Sequence, residues 1–187
     1  MTTAVLDANV LYPAALRDLF MHLALLDLYR ARWTDAIHGE WTRNVLKNRP
    51  DLTQRQLERT KNLMNAHVRG CLVTNYEALI PTLNLPDSGD RHVLAAAIKA
   101  EASVIVTFNL SDFPASLLAS HNIRAQHPDL FITNLIRRNS EGVCLAVRRQ
   151  RENLQSPPLS PEQLLAVLRN QGLETSVGAL ESYVDIL

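Results

Sequence analysis

Two short β-branched runs, far apart in the chain, set its frame. Thr3-Ala4-Val5-Leu6 leads into Asp7, and Val104-Ile105-Val106 leads into Thr107, Asn109 and Asp112. A short apolar run without alternation reads as a strand buried on both faces, the habit of parallel sheets. In open α/β sheets ligands bind beyond the C-terminal ends of such strands. Asp7 and the Asn109/Asp112 segment therefore fall where chemistry is expected. The alternative for Asp7 is a turn cap shared with Asn9.

Between and after these runs the pattern alternates strand and helix. Pro13 suits the first residue of a helix. Leu16, Leu19, Phe20, Leu23, Leu26 and Leu28 follow as its apolar stripe. Thr34 is the expected N-cap of a helix from Asp35 to about Asn48, ended by Pro50. Thr53 and Gln56 form a capping box for a helix over Gln54 to Val68. Cys71 to Thr74 is expected as a strand, and Glu77 to Leu85 as irregular. An alanine-rich helix, capped by Asp87 or Ser88, runs to Ala100 and places Asp90 in its first turn. Pro114 opens a short helix, Ile123 to Ala125 is an edge strand, and Pro128 starts a helix to Arg138. Alternation of this kind predicts a parallel sheet with right-handed crossovers and helices on both faces, a three-layer α/β/α fold. From Ser140 onward only helical patterns appear, so the expected division is a sheet domain over 1–139 and a helical C-terminal extension over 140–187.

Composition excludes several classes. Lys plus Arg equals Asp plus Glu at 19 each, so nothing global draws nucleic acid and any contact with it must be local. No apolar run approaches the roughly 18 residues of a membrane span. No basic, then apolar, leader opens the chain. Cys71 and Cys144 are isolated, which argues against a disulfide framework or a thiolate zinc site and suits a reducing cytoplasm. There is no P-loop and no G-x-G-x-x-G, which argues against a nucleotide-binding module.

The acids carry the chemistry. Asp7 and Asn109/Asp112 share one sheet edge, and Asp90 opens the helix that feeds the second strand. Glu40 lies midway along its helix, beside Gly39, which leaves room. Brought into one pocket, Asp7, Glu40, Asp90 and Asp112 repel one another unless protonated or neutralised by a cation. Oxygen ligands without His or Cys favour Mg2+ or Mn2+ over zinc. Such a site suits phosphodiester hydrolysis, in which a metal activates water and offsets charge on the phosphate.

These residues resemble the PIN-domain ribonucleases, the family that includes the VapC-type toxins of toxin–antitoxin systems. The resemblance runs from Thr3 to Asn134. It rests on Val5-Leu6-Asp7-Ala8-Asn9-Val10, Ile37-His38-Gly39-Glu40-Trp41, Asp87-Ser88-Gly89-Asp90-Arg91-His92 and Val106-Thr107-Phe108-Asn109-Leu110-Ser111-Asp112-Phe113, in that order. It implies that Asp7, Glu40, Asp90 and a residue after Thr107 hold Mg2+ or Mn2+ and cleave single-stranded RNA. It implies a cognate antitoxin, and family members often form homodimers, which this sequence permits. Many members carry Asp two residues after the Thr. Here the position is Asn109, a neutral oxygen ligand that would hold a second metal less strongly. Asp112 either restores that charge or anchors the following loop.

Other candidates have plainer alternatives. Thr107 is expected to orient a carboxylate or water. Asp87 is a cap rather than a ligand. Arg43 and Arg91 are candidate phosphate contacts. Arg137-Arg138 and Arg148-Arg149-Gln150-Arg151 form either an RNA rim, an antitoxin contact or a solvated face. His38 and His92 read as structural or surface residues. The leading function is a metal-dependent endoribonuclease, the toxin of a toxin–antitoxin pair. The alternatives are a non-catalytic RNA-binding or scaffold protein with a weakened metal site, and a DNA-directed nuclease.

Overall fold

A computed structural model describes residues Met1–Leu187. In chain order the elements are β1 (Thr3–Leu6), α1 (Ala8–Leu11), α2 (Ala14–Leu25), β2 (Arg30–Arg32), α3 (Asp35–Asn48) and α4 (Gln54–His67). They continue with α5 (Arg91–Lys99), β3 (Val104–Val106), α6 (Ala115–Leu118), β4 (Arg124–Gln126), α7 (Pro128–Arg138), α8 (Ser140–Asn153), α9 (Pro161–Asn170) and α10 (Glu174–Leu180). Short 3-10 turns lie at Glu77–Thr82, Ser88–Asp90, Leu110–Asp112, Ala119–His121 and Glu181–Ile186. The class is the expected three-layer α/β/α with a helical C-terminal part. No helix is long and apolar enough to cross a membrane.

The chain divides into two compact units, one of Met1–Tyr12 with Tyr29–His127, the other of Pro13–Leu28 with Pro128–Leu187. The first holds the sheet, ordered β2-β1-β3-β4 and parallel throughout. Ala4, Val5 and Leu6 lie beside Val104, Ile105 and Val106, and all six are fully buried. Fully buried strands without alternation need cover on both faces, which explains the unbroken β-branched runs. From β1 the chain moves outward to β2, and from β3 outward to β4. The switch point of the sheet is therefore the seam between β1 and β3, where a crevice opens beyond the strand ends. Asp7 and Thr107 are the first residues past those two ends.

Helix α3 is fixed by a buried polar chain as well as by Ile37, Trp41 and Val45. Trp41 Nε1 donates to His38 Nδ1 at 2.9 Å, so the proton of neutral His38 sits on Nε2, which lies 3.1 Å from Asn65 Oδ1. Trp33 Nε1 donates to that same oxygen at 2.7 Å. Burial pushes the His38 imidazole below its ordinary pKa, in keeping with a neutral ring. His38 is thus structural, and it ties α3 to α4 two residues before Glu40.

One strand was not expected from the sequence, and one strand expectation is corrected. Arg30-Ala31-Arg32 forms edge strand β2, paired with β1, although only Ala31 is fully buried. Cys71 to Thr74 is not a strand; it adds one parallel bridge, Trp33 to Leu72, to the end of that edge. Trp33 N donates to Cys71 O at 2.9 Å and Val73 N to Trp33 O at 2.8 Å. Both cysteines are free and buried.

The second unit is a helical cluster. Helix α2 buries Leu16, Leu19, Phe20 and Leu23 among helices that include α8, with Val143, Ala146 and Val147 buried there. Phe20 stacks on Phe131 of α7 at 5.9 Å between ring centroids. Ser160 and Gln163 close the expected capping box of α9. Asp129 of α7 accepts from the backbone N–H groups of Thr175 and Ser176 at 2.9 and 2.7 Å, which fastens the start of α10.

Candidate active site

Asp7 caps a helix and also lines a cavity. It is the N-cap of α1, and its Oδ1 accepts from Ala8 N–H. Its Oδ2 accepts from Thr107 Oγ1 at 2.7 Å and from Asn9 Nδ2 at 2.7 Å. Thr107 Oγ1 in turn accepts from Asn9 Nδ2 and from Asn109 N–H, both at 3.0 Å. Asn9 Oδ1 accepts from Phe108 N–H at 3.2 Å and closes the ring. The two strand ends are thus laced together around one carboxylate. A carboxylate offers about four lone-pair directions. Three are used here, which leaves capacity toward the cavity.

Asp7, Glu40, Asp90 and Asn109 line one cavity of about 480 Å3, together with Ala8, Asn9, Tyr12, Arg43, Asn44 and Asn48. Glu40 reaches it because the buried face of α3 is Ile37, His38, Trp41 and Val45, which turns Glu40, Arg43 and Asn44 away from that core. Asp90 ends the 3-10 turn that precedes α5, and Asp87 caps that turn by accepting from Gly89 N–H at 2.7 Å. Glu40 Oε1 is held by His92 Nε2 at 2.9 Å, while His92 Nδ1 is buried without a partner. Gly39 does not shape the cavity, since a Cβ there would meet Arg43 Nη1 at 3.5 Å, an ordinary contact.

The charges in this cavity are unbalanced. Burial, then the carboxylates of Asp7, Asp87, Asp112 and Glu40, push the Asp90 carboxyl up to about 6. Burial also raises Asp7 above its ordinary range, against the hydrogen bonds from Thr107 and Ala8 that pull it down. Acids that resist ionisation beside one another form a donor set that a divalent cation relieves. The donors are all oxygen, which suits Mg2+ or Mn2+. No three His, Cys, Asp or Glu side chains stand together closely enough to hold an ion as they are placed. The acids border a common space without closing on one point, and Glu40 is engaged by His92.

The remaining expected residues fall as follows. Arg43 lines the cavity and makes no ion pair or hydrogen bond with the chain. Thr107 acts through Asp7 rather than lining the cavity. Asp112 sits half-buried in the Leu110–Asp112 turn outside the lining, and reaches Asp90 only through its charge. Arg91 is also outside the lining, with a buried Nε that lacks a partner. Asn9, His92, Tyr12, Asn44 and Asn48 were not singled out as site residues from the sequence. The only signal for Asn9 was its place two residues after Asp7. The helical spacing of Asn44 and Asn48 from Glu40 was the only signal for those two.

Fold and site together define a class: the chain belongs to the PIN domain family, which matches residues 3–111. Residues 128–182 match the VapC50 C-terminal domain. A protein of Mycobacterium tuberculosis (strain ATCC 25618 / H37Rv), named "Putative ribonuclease VapC50", is 38% identical over 96 residues, which is 51% of this chain and 56% of that protein. The chain thus spans about half the length of this relative. No solved structure matches.

Proposed function

We propose that this chain is a metal-dependent endoribonuclease that cuts single-stranded RNA, and that it is the toxin of a toxin–antitoxin pair. The observation that carries this reading is the meeting of Asp7, Glu40, Asp90 and Asn109 in one cavity at the switch point of the sheet. The relative named as a ribonuclease and the match to the VapC50 C-terminal domain support it.

Asp7, Asp90, Glu40 and Asn109 are the residues that would hold Mg2+ or Mn2+. The chemistry such an ion supplies in this cavity is activation of a water and compensation of charge on a phosphate. Thr107 and Asn9 fix the Asp7 carboxylate in advance, so no reorganisation is needed when substrate arrives. The Asp90 carboxylate, held by burial and by its acidic neighbours with a raised pKa, would have its charge balanced by a bound cation. His92 holds Glu40 in place. Arg43 is the cation free to take a phosphate oxygen. Arg91 and Asp112 act from outside the lining, Asp112 by adding negative charge beside Asp90. Asn109 brings an oxygen without a charge, so it would hold a second ion less strongly than a carboxylate would.

The test is cleavage of a labelled, mixed-sequence single-stranded RNA by the purified chain with Mn2+, with Mg2+ and with EDTA, beside the matching DNA. RNA cut with either metal and intact in EDTA supports the reading. Cleavage of DNA alone makes it a DNA-directed nuclease. RNA retained but never cut makes it a binding or scaffold protein. For the toxin role, expression of the chain should arrest bacterial growth in the cytoplasm, and a cognate antitoxin protein should relieve the arrest; growth unaffected by active enzyme would contradict it.

A further inference from the structure

The cavity is acidic, and a polyanion has to be held beside it. Asp7, Glu40 and Asp90 line it, and Asp87 and Asp112 are near enough to act on Asp90 through their charge. Lys plus Arg equals Asp plus Glu over the chain, so nothing global compensates. Attraction for phosphate must come from nearby cations that no acid already holds.

Helix α3 supplies two. From Trp41 to Pro50 the chain contains no Asp or Glu. Arg43 and Lys47 are exposed on this stretch, at i and i+4, and neither side chain makes an ion pair or hydrogen bond within the chain. Other cations of this region are engaged. Arg49 makes a two-point pair with Asp51 at 2.8 and 2.6 Å. Lys61 lies 3.0 Å from Glu58 and 3.8 Å from Asp35. Seven residues separate Lys47 from Glu40, which brings Lys47 to within about 20° of the same direction, roughly 10 Å further along the helix axis. Arg43 stands between them, about 6 Å short of Lys47 along that axis, and lines the cavity. Asn44, Asn48 and Tyr12, which line the cavity beside Arg43, add no charge at neutral pH.

We propose that Arg43 and Lys47 form a phosphate track that leads single-stranded RNA away from the carboxylates along α3. This inference rests on the ribonuclease reading and adds where the strand lies and how it is held. Phosphate contacts carry no sequence information. The track therefore binds all sequences alike and sets affinity, not target. A lysine in the last turn of a helix also offsets the helix dipole. Lys47 has that place on α3, and Lys99 has it on α5. Lys99 is exposed as well, but stands at the far end of α5, roughly 13 Å from Asp90 along the axis. Comparing the two lysines separates the roles.

The test is the salt dependence of binding by the full chain. Asp7→Asn, kept in EDTA so that nothing is cut, is titrated with labelled oligomers of A, of C and of U between about 50 and 200 mM KCl. For single strands, log K falls with log salt by about 0.7 per phosphate neutralised. Added to Asp7→Asn, Lys47→Gln and Arg43→Gln should each flatten that slope by about 0.7, and together by about 1.4, equally on the three oligomers. Each substitution should weaken binding about five-fold at 0.1 M salt, for lines that meet at 1 M. Lys99→Gln should leave the slope as it is. A slope unchanged by Lys47→Gln, flattened as much by Lys99→Gln, or flattened on one oligomer alone overturns the track. A role in the dipole alone would lower the melting temperature of both lysine variants and leave both slopes unchanged, which overturns it too. Cleavage in Mn2+ decides the ribonuclease reading separately. Flattened slopes without cleavage keep the track and remove the enzyme; cleavage with unchanged slopes does the reverse.

Discussion

Removing the Asp90 charge should make the metal-free protein more stable while it destroys the site. Burial and four neighbouring carboxylates raise the Asp90 carboxyl from 3.8 to about 6. At about 1.36 kcal/mol per pH unit this corresponds to about 3 kcal/mol as an upper limit. Asp90 is partly exposed, so solvent screening reduces that figure by roughly half. Its charge also sits at the start of α5, where the helix dipole returns about 0.3–1 kcal/mol. Asp90→Asn should therefore gain about 1 kcal/mol at pH 7.5, a rise of roughly 2–4 °C in Tm for a chain of this size. The pH dependence has a definite sign. Between 3.8 and about 6 the native state holds a proton that the unfolded state has lost, so wild-type stability from this group falls as pH rises through that window and is level above it. The variant lacks this fall. Its advantage is absent below pH 3.8 and complete by pH 7. The assay is thermal or urea unfolding in EDTA at pH 3.5 to 8. Mn2+ should narrow the gap, because it stabilises the native wild type by mass action. An Asp90→Asn protein that is less stable than wild type at pH 7.5, or a gap that does not change with pH, refutes the argument.

Three further outcomes are expected. Thr107→Val deletes the hydroxyl shared by Asp7, Asn9 and Asn109; it should cost about 1.5–3 kcal/mol in urea unfolding and slow cleavage by at least ten-fold, and Thr107→Ser should restore both. Asn65→Ala leaves the Trp33 and His38 donors buried without an acceptor and should cost about 2–4 kcal/mol, measured by urea unfolding, with RNA cleavage per folded molecule much less affected. Asn109→Asp adds a charge to the cavity lining and should tighten Mn2+ binding in a calorimetric titration; an unchanged titration removes Asn109 from the ligand set.

The central strands were legible because burial on both faces forces unbroken β-branched runs, and the acid after each run marks the sheet edge that binds ligands. The capping boxes at Thr53 and Ser160 were legible because they are local. Strand β2 was not, since an edge strand needs only Ala31 in the core and its two arginines carry no strand signature. The Cys71 to Thr74 run was apolar for the same sheet edge, but supplies only one bridge to it. At the site, Asp7, Glu40 and Asp90 could be named from their motifs. The lacing of Asp7 by Asn9 and Thr107 spans a separation of about a hundred residues that only the β1–β3 pairing brings together. His92 was set aside because it lies two residues from Asp90 on its helix, yet its partner is Glu40 on another helix. Tyr12, Asn44 and Asn48 carry no motif, and only their shared wall of the cavity reveals them.

The most direct measurement is cleavage of labelled single-stranded RNA in Mn2+ by Asp7→Asn beside wild type, with circular dichroism melts on both. Asn differs from Asp by one charge at the residue that joins the two central strand ends. A folded variant whose cleavage falls to background is the predicted result. A folded variant that cuts RNA at the wild-type rate would contradict the assignment of this cavity as the catalytic centre.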